Sequence, residues 1–219
     1  MKPNIYLRDM KILVVAATRA ELTGLFSAFG KQPADFVQTA KFDILVTGVG
    51  MTATAFALGQ HLPDTYRLVL NLGIAGSYNR AIPLGSILNI ATDEFSELGA
   101  EDRDRFLSIA ELGFGQVRFE AKYDPQHEAL SGLKSAKGIT VNTVHGNTQS
   151  IAAIVKRLAP DTESMEGAAV FYCCHKTGTP RLQVRSISNY VEERNRDNWE
   201  IGLAIKNLNA WAIEFLTKA

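Results

Sequence analysis

Short runs of Val, Ile and Leu recur along the chain at residues 12–17, 44–47, 68–72, 87–90, 139–144 and 182–187. Apolar runs of this length, bounded by polar or glycine-containing stretches, predict strands buried on both faces. Between them the spacing changes. Leu22, Leu25, Phe26 and Phe29 predict a helix over 20–30 with Gly30 as its C-cap. Ile201, Ile205, Leu208, Ala212 and Phe215 predict another over 199–217. The alternation predicts an α/β fold, a three-layer αβα arrangement around a central, mostly parallel or mixed sheet. Residues 1–219 are expected to form one domain, with 1–10 as a loose N-terminal arm. The polar segment 95–115 carries Glu101, Asp102, Arg103, Asp104 and Arg105 together and reads as a surface excursion or short helix, either covering a site or simply solvated.

Composition narrows the function classes. With 23 Lys plus Arg against 23 Asp plus Glu, the chain has no overall basic field that would attract nucleic acid or an anionic membrane surface. The expected partner is a small molecule or a second copy of the chain. An apolar fraction of 46% with 21% charged residues is that of an ordinary globular core. Neither a membrane-spanning run nor a secretory signal pattern is present, and the two cysteines, Cys173 and Cys174, are adjacent and cannot staple a long loop. A reducing, cytoplasmic setting is therefore expected.

Ligands of open α/β sheets bind beyond the carboxyl ends of the strands, so the residues that follow the apolar runs matter most. Gly48-Val49-Gly50-Met51 begins like a dinucleotide fingerprint, but Ala53 stands at the third glycine position and no acidic residue ends a second strand about 20 residues on. It reads as a tight strand-to-helix turn, and no cofactor is expected. His61, His127, His145 and His175 show no metal-ligand spacing, so no metal is expected. Asn71-Leu72-Gly73-Ile74-Ala75-Gly76 reads as a second glycine-rich turn, where missing side chains let a ligand or backbone approach. Ser164-Met165-Glu166-Gly167 sets a carboxylate at the head of an apolar stretch. Glu166 suits the first turn of a helix, where the macrodipole favours an acid, and equally the paired hydroxyls of a ribose. Thr18-Arg19-Ala20-Glu21 is a capping box, and its Glu21 is also placed to orient and deprotonate a water molecule.

In order along the chain, Ala17-Thr18-x-x-Glu21, Asn71-x-Gly73-x-Ala75-Gly76, Met165-Glu166-Gly167-Ala168 and Arg185-Ser186-Ile187-Ser188-Asn189 resemble the methylthioadenosine/S-adenosylhomocysteine nucleosidases and their relatives in the nucleoside phosphorylase superfamily. Two further stretches, Glu94-Phe95-x-x-Leu98-Gly99-Ala100-Glu101-Asp102 and Asn189-x-Val191-x-x-Arg194-Asn195-Arg196-x-x-Trp199, are similar to the futalosine hydrolases of the alternative menaquinone pathway. The resemblance implies hydrolysis of a purine nucleoside to free hypoxanthine, with homodimers or larger homo-oligomers. It implies that Glu21 activates water, Glu166 holds the ribose diol beside Met165, Val144 and His145 line the base, and Arg185 lies near water and sugar. It also implies that Thr18, Gly73, Ile74, Ser164 and Ser188 fall within the same substrate pocket. Ile74 and Ser164 depart from the nucleosidase pattern, which has a serine and a glutamate there.

Asn189 is the departure with chemical content. Adenine presents a C6 amino donor and is served by an aspartate, whereas hypoxanthine presents a C6 carbonyl and needs a donor, which an amide supplies. Unlike an acid, that amide cannot protonate N7 of the leaving base. A related adenine nucleosidase, a 6-oxopurine phosphorylase and a non-catalytic nucleoside-binding protein remain alternatives at this point. The carboxylate at Glu21 would repel phosphate and so favours water, while Arg19 and Arg185 keep phosphate in play. For the carboxylate that futalosine carries beyond C5′, Arg194, Arg196 and the 103–105 region are the candidates.

Overall fold

The structure is a computed structural model describing residues 11–62, 66–123 and 128–218; the expected arm over 1–10, and His127, lie outside these. Its strands are β1 (Lys11–Ala16), β2 (Phe36–Gln38), β3 (Phe42–Val46), β4 (Tyr66–Ser77), β5 (Ile87–Phe95), β6 (Gly99–Asp102), β7 (Arg105–Ser108), β8 (Arg118–Glu120), β9 (Lys134–Thr140), β10 (Thr162–Ser164) and β11 (Arg181–Tyr190). The helices are α1 (Thr23–Ala28), α2 (Met51–His61), α3 (Thr148–Leu158), α4 (Gly167–Thr177) and α5 (Ile201–Lys218).

The strands that the apolar runs predict are buried on both faces because successive side chains point to opposite sides. Ile12, Val14, Leu68, Leu70, Leu182 and Val184 pack against Leu25 and Phe26 of α1 and Leu208 and Phe215 of α5. Leu13, Val15 and Val69 point the other way, onto Leu58 of α2 and Val170 and Cys174 of α4. Helices thus cover both faces, giving the expected αβα layering.

The main sheet runs β10-β9-β5-β11-β4-β1-β3-β2, with β8 on β5. Its β10 also pairs with β4, so that β4, β11, β5, β9 and β10 close on themselves. Among the described residues five of its nine pairings are parallel, which makes the sheet mixed.

The structure corrects two expectations and sharpens two others. The glycine-rich stretch 71–76 is no turn but the interior of β4, whose length lets it pair with β1, β11 and β10. Apolar residues 139–144 do not all form strand, since β9 stops at Thr140 and the chain leaves the sheet before Val144. Within segment 95–115 the surface excursion expected as one alternative is the hairpin β6–β7, turned at Arg103 and Asp104, and not a short helix. Arg103 sits at φ 55°, the left-handed geometry a two-residue hairpin turn requires, and Arg157 stacks on Phe106 to hold the hairpin to α3. The helix expected over 20–30 begins as a 3₁₀ turn at Arg19–Leu22 and continues as α1.

One irregularity shapes the site. The register of β11 against β4 slips between Ile187 and Asn189, leaving Ser188 as an extra residue and setting Asn189 opposite Gly76. Such a bulge re-aims the side chains beside it.

Candidate active site

The capping box forms as its spacing predicts. Thr18 donates its backbone N–H and its hydroxyl to Glu21 Oε2, both at 2.9 Å, and the Glu21 N–H donates back to Thr18 Oγ1 at 3.4 Å. The second carboxylate oxygen is used differently. Glu21 Oε1 accepts the Ile74 N–H at 3.2 Å from β4, so one oxygen caps a helix and the other lies over the sheet. The capping reading of Glu21 thus uses Oε2, and it leaves Oε1 on the cavity side.

Glu166 is the N-cap residue of α4, but its side chain does not cap that helix. It crosses instead to α2, where Oε1 accepts the Gly50 N–H at 3.0 Å. Gly50, at φ 93°, takes a backbone conformation that favours glycine, and this turns its N–H toward the carboxylate. Burial pushes the Glu166 pKa up, opposed by the charge of Arg185 and by the N–H groups of Gly50 and Met165 and reinforced by the charge of Glu21.

Beneath these carboxylates runs Arg185, 2% exposed. A β-carbon on Gly73 would overlap Arg185 Nη1 and lie 3.0 Å from Glu21 Oε1. Only a glycine at that point of β4 leaves room for the guanidinium. Among the described residues Arg185 Nε, Arg185 Nη2 and Ser164 Oγ are buried without a hydrogen-bond partner. Buried donors without protein partners are costly and uncommon, so these groups make the floor its most polar part.

Around this floor lies a cavity of about 300 Å³. It is lined by Thr18, Glu21, Ile74, Val144, His145, Ser164, Met165, Glu166, Ser188 and Asn189, all singled out from the sequence. Gly73 and Arg185 are not part of the lining; they form the layer below it. Asn189 Oδ1 accepts from the Ser188 hydroxyl at 2.8 Å and its Nδ2 donates to the Tyr190 carbonyl at 3.1 Å. That orientation leaves the second amide hydrogen of Nδ2 for a ligand.

One contributor escapes the sequence motifs. Glu163, which precedes Ser164, is 4% exposed and lines the cavity with Val49 and Trp199. An acidic residue in an otherwise buried three-residue strand is the signal that would have found it. The guanidinium groups of Arg194 and Arg196 both lie over the Trp199 ring, at 5.0 and 5.9 Å. Arg103 and Arg105 belong to the hairpin instead. Residues 95, 97, 98, 109, 114 and 115 line a second cavity of about 600 Å³ with Tyr172 and His175, and none of segment 95–115 lines the first. No group of three His, Cys, Asp or Glu among the described residues is arranged to hold a metal ion.

A small cavity that combines two buried carboxylates, an arginine floor and an amide at its rim can hold a hydroxylated ring and deliver water to it. Residues 43–217 match the phosphorylase superfamily. The chain is 31% identical over 220 residues to the futalosine hydrolase of Streptomyces coelicolor, covering 91% of this chain and 92% of that one. It is 33% identical over 217 residues to that of Acidothermus cellulolyticus, covering 91% and 88%. The chain belongs to the futalosine hydrolase family of the phosphorylase superfamily. In structure it is similar to the futalosine hydrolase of Helicobacter pylori, with a TM-score of 0.83 at 18% identity over 97% of this chain and 99% of that one, a likeness of fold.

Proposed function

We propose that the protein hydrolyses the N-glycosidic bond of futalosine, releasing hypoxanthine and dehypoxanthine futalosine for menaquinone biosynthesis. The observation that carries this reading is the division of labour at Glu21, whose Oε2 is committed to the cap while Oε1 lies at the cavity floor beside Arg185. A carboxylate so placed binds and deprotonates water and repels phosphate, which favours hydrolysis over phosphorolysis.

In this reading the glycosidic bond stretches first, leaving positive charge on the ribosyl ring as in glycoside hydrolysis. Glu21 takes the proton of the water that attacks C1′. Glu166 accepts the paired 2′ and 3′ hydroxyls, with Met165 packed on the sugar, and Arg185 and Ser164 supply donors from below. Val144, His145 and Ser188 flank the base, and Asn189 Nδ2 donates to its O6 or N7. Arg194 and Arg196, stacked on cavity-lining Trp199, receive the distal carboxylate; replacing both by Ala should raise the KM for futalosine and leave that for inosine unchanged. The enzyme acts as a cytoplasmic homo-oligomer, without cofactor.

Incubating the pure protein with futalosine, aminodeoxyfutalosine, inosine and methylthioadenosine, then identifying each released base, tests the reading. Hypoxanthine from futalosine supports it; release of adenine alone overturns the substrate assignment.

A further inference from the structure

Proton supply to the leaving base is the gap left by Asn189, because an amide donates a hydrogen bond but gives up no proton. A neighbouring group is built for that task. Gly76 of β4 pairs with Glu163 of β10 on one side and with Asn189 of β11 on the other. Both side chains converge over it: the position of a β-carbon on Gly76 lies 3.2 Å from Asn189 Nδ2 and 3.6 Å from Glu163 Cγ. The sheet register therefore brings the base-recognising amide and Glu163 to the same end of the cavity.

Glu163 is turned almost wholly toward His145. Its Oε1 accepts the His145 backbone N–H at 3.0 Å, and its Oε2 lies 2.6 Å from His145 Nδ1. Tyr78 donates its hydroxyl to the same Oε2 at 2.6 Å. Burial, and then the charge of Glu163, push the Tyr78 pKa up, so that the phenol stays a donor. With Tyr78 and Nδ1–H both donating to Oε2, the imidazole ring is fixed in one orientation, as carboxylate partners fix histidine tautomers elsewhere. His145 Nε2 has no hydrogen-bond partner among the described residues, and the side chain, 12% exposed, lines the cavity beside Val144 and Asn189.

We propose that His145, oriented by Glu163 and Tyr78, is the proton donor to the departing 6-oxopurine. The step rests on the hydrolase reading above. As the C1′–N9 bond breaks, its electron pair passes into the purine and the proton on His145 Nε2 moves to N7. The water oxygen bonds to C1′ and its proton passes to Glu21. Solvent then carries a proton from Glu21 back to His145, so that nucleoside and water become free base and sugar with nothing left over. His145 is here a catalytic residue, whereas Glu163 and Tyr78 are positioning residues.

The test compares two substrates, inosine and 7-methylinosine, whose base departs without needing a proton at N7. His145→Gln should lower the rate of base release from inosine by about 100-fold or more, the range of general acid catalysis, and that from 7-methylinosine by no more than a few-fold. Tyr78→Phe, which keeps the ring packing, should shift the two rates in the same unequal way by a smaller factor. Equal losses on both substrates, or an unchanged rate with inosine, would overturn the proposal. Failure of the wild-type protein to release base from any 6-oxopurine nucleoside would instead overturn the hydrolase reading itself.

Discussion

Arg185 crosses beneath Gly73 so closely that the two positions cannot both carry side chains. A methyl group on residue 73 must displace the guanidinium or push β4 from β11. Gly73→Ala should therefore reduce turnover by about 100-fold, the scale of a small misplacement of catalytic groups, while overpacking costs about 1–3 kcal/mol of stability. Steady-state rates and urea unfolding on the same preparation check it; an active, equally stable variant would show that the floor tolerates movement.

Glu21 and Thr18 separate structure from chemistry. Glu21→Gln keeps an oxygen for the cap and removes the proposed base, so turnover should fall by about 10²–10⁴-fold. Thr18→Ala removes the cap hydroxyl and should cost about 1 kcal/mol of stability with a much smaller effect on rate. If Glu21→Gln turned over like wild type, the residue would be a cap and nothing more.

In the proposed function Asn189 selects the base. Asn189→Asp exchanges the Nδ2 donor for an acceptor, and a mismatched buried hydrogen bond is worth about 1–3 kcal/mol. The ratio of hypoxanthine to adenine release, measured with futalosine and aminodeoxyfutalosine in competition, should move toward adenine by at least about 10-fold. An unmoved ratio would assign base selection to other residues.

Asp93 gives a pH signature that does not involve substrate. It lies fully buried behind the site and accepts hydrogen bonds from Gln183 Nε2 and Thr140 Oγ1, both at 2.8 Å, the latter in turn holding the Ala168 N–H at 2.7 Å. Burial pushes its pKa from 3.8 up to about 6, against the lowering effect of those hydrogen bonds and of Arg185. A carboxyl with a raised folded-state pKa binds more protons folded than unfolded between those two values, so its contribution to stability falls as pH rises through that window. The stability of wild type relative to Asp93→Asn should decline by up to about 3 kcal/mol between pH 4 and pH 6, then level off. Urea unfolding across that range checks it, and a relative stability that rises with pH would contradict it.

The legible part of the fold is the part where one physical signal dominates. Run 12–17 is apolar on both faces and forms a buried strand, and 182–187 keeps Leu182 and Val184 on one face while burying the polar Gln183 and Arg185 on the other. The stretch 71–76 misleads because glycine marks both turns and close approaches; here Gly73 yields to Arg185 and Gly76 to Asn189, and neither ends the strand. Segment 95–115 has no apolar period at all, and its hairpin depends on pairing and on a turn at Arg103. At the site, Glu21 and Glu166 stand out because acids beside apolar runs are unusual. What no local pattern contains is that Glu21 Oε1 meets an amide of β4, that Glu166 reaches Gly50, or that Glu163 grips His145. Each of these joins residues that only the sheet register brings together.

Water, not phosphate, is expected to take the ribosyl group of a 6-oxopurine nucleoside. Pure protein should be incubated with futalosine in phosphate-free buffer made with ¹⁸O-labelled water. Free hypoxanthine is expected together with a sugar product carrying ¹⁸O at C1′, at a rate that added phosphate does not raise. A sugar 1-phosphate formed only when phosphate is supplied, or no release of hypoxanthine under either condition, would contradict it.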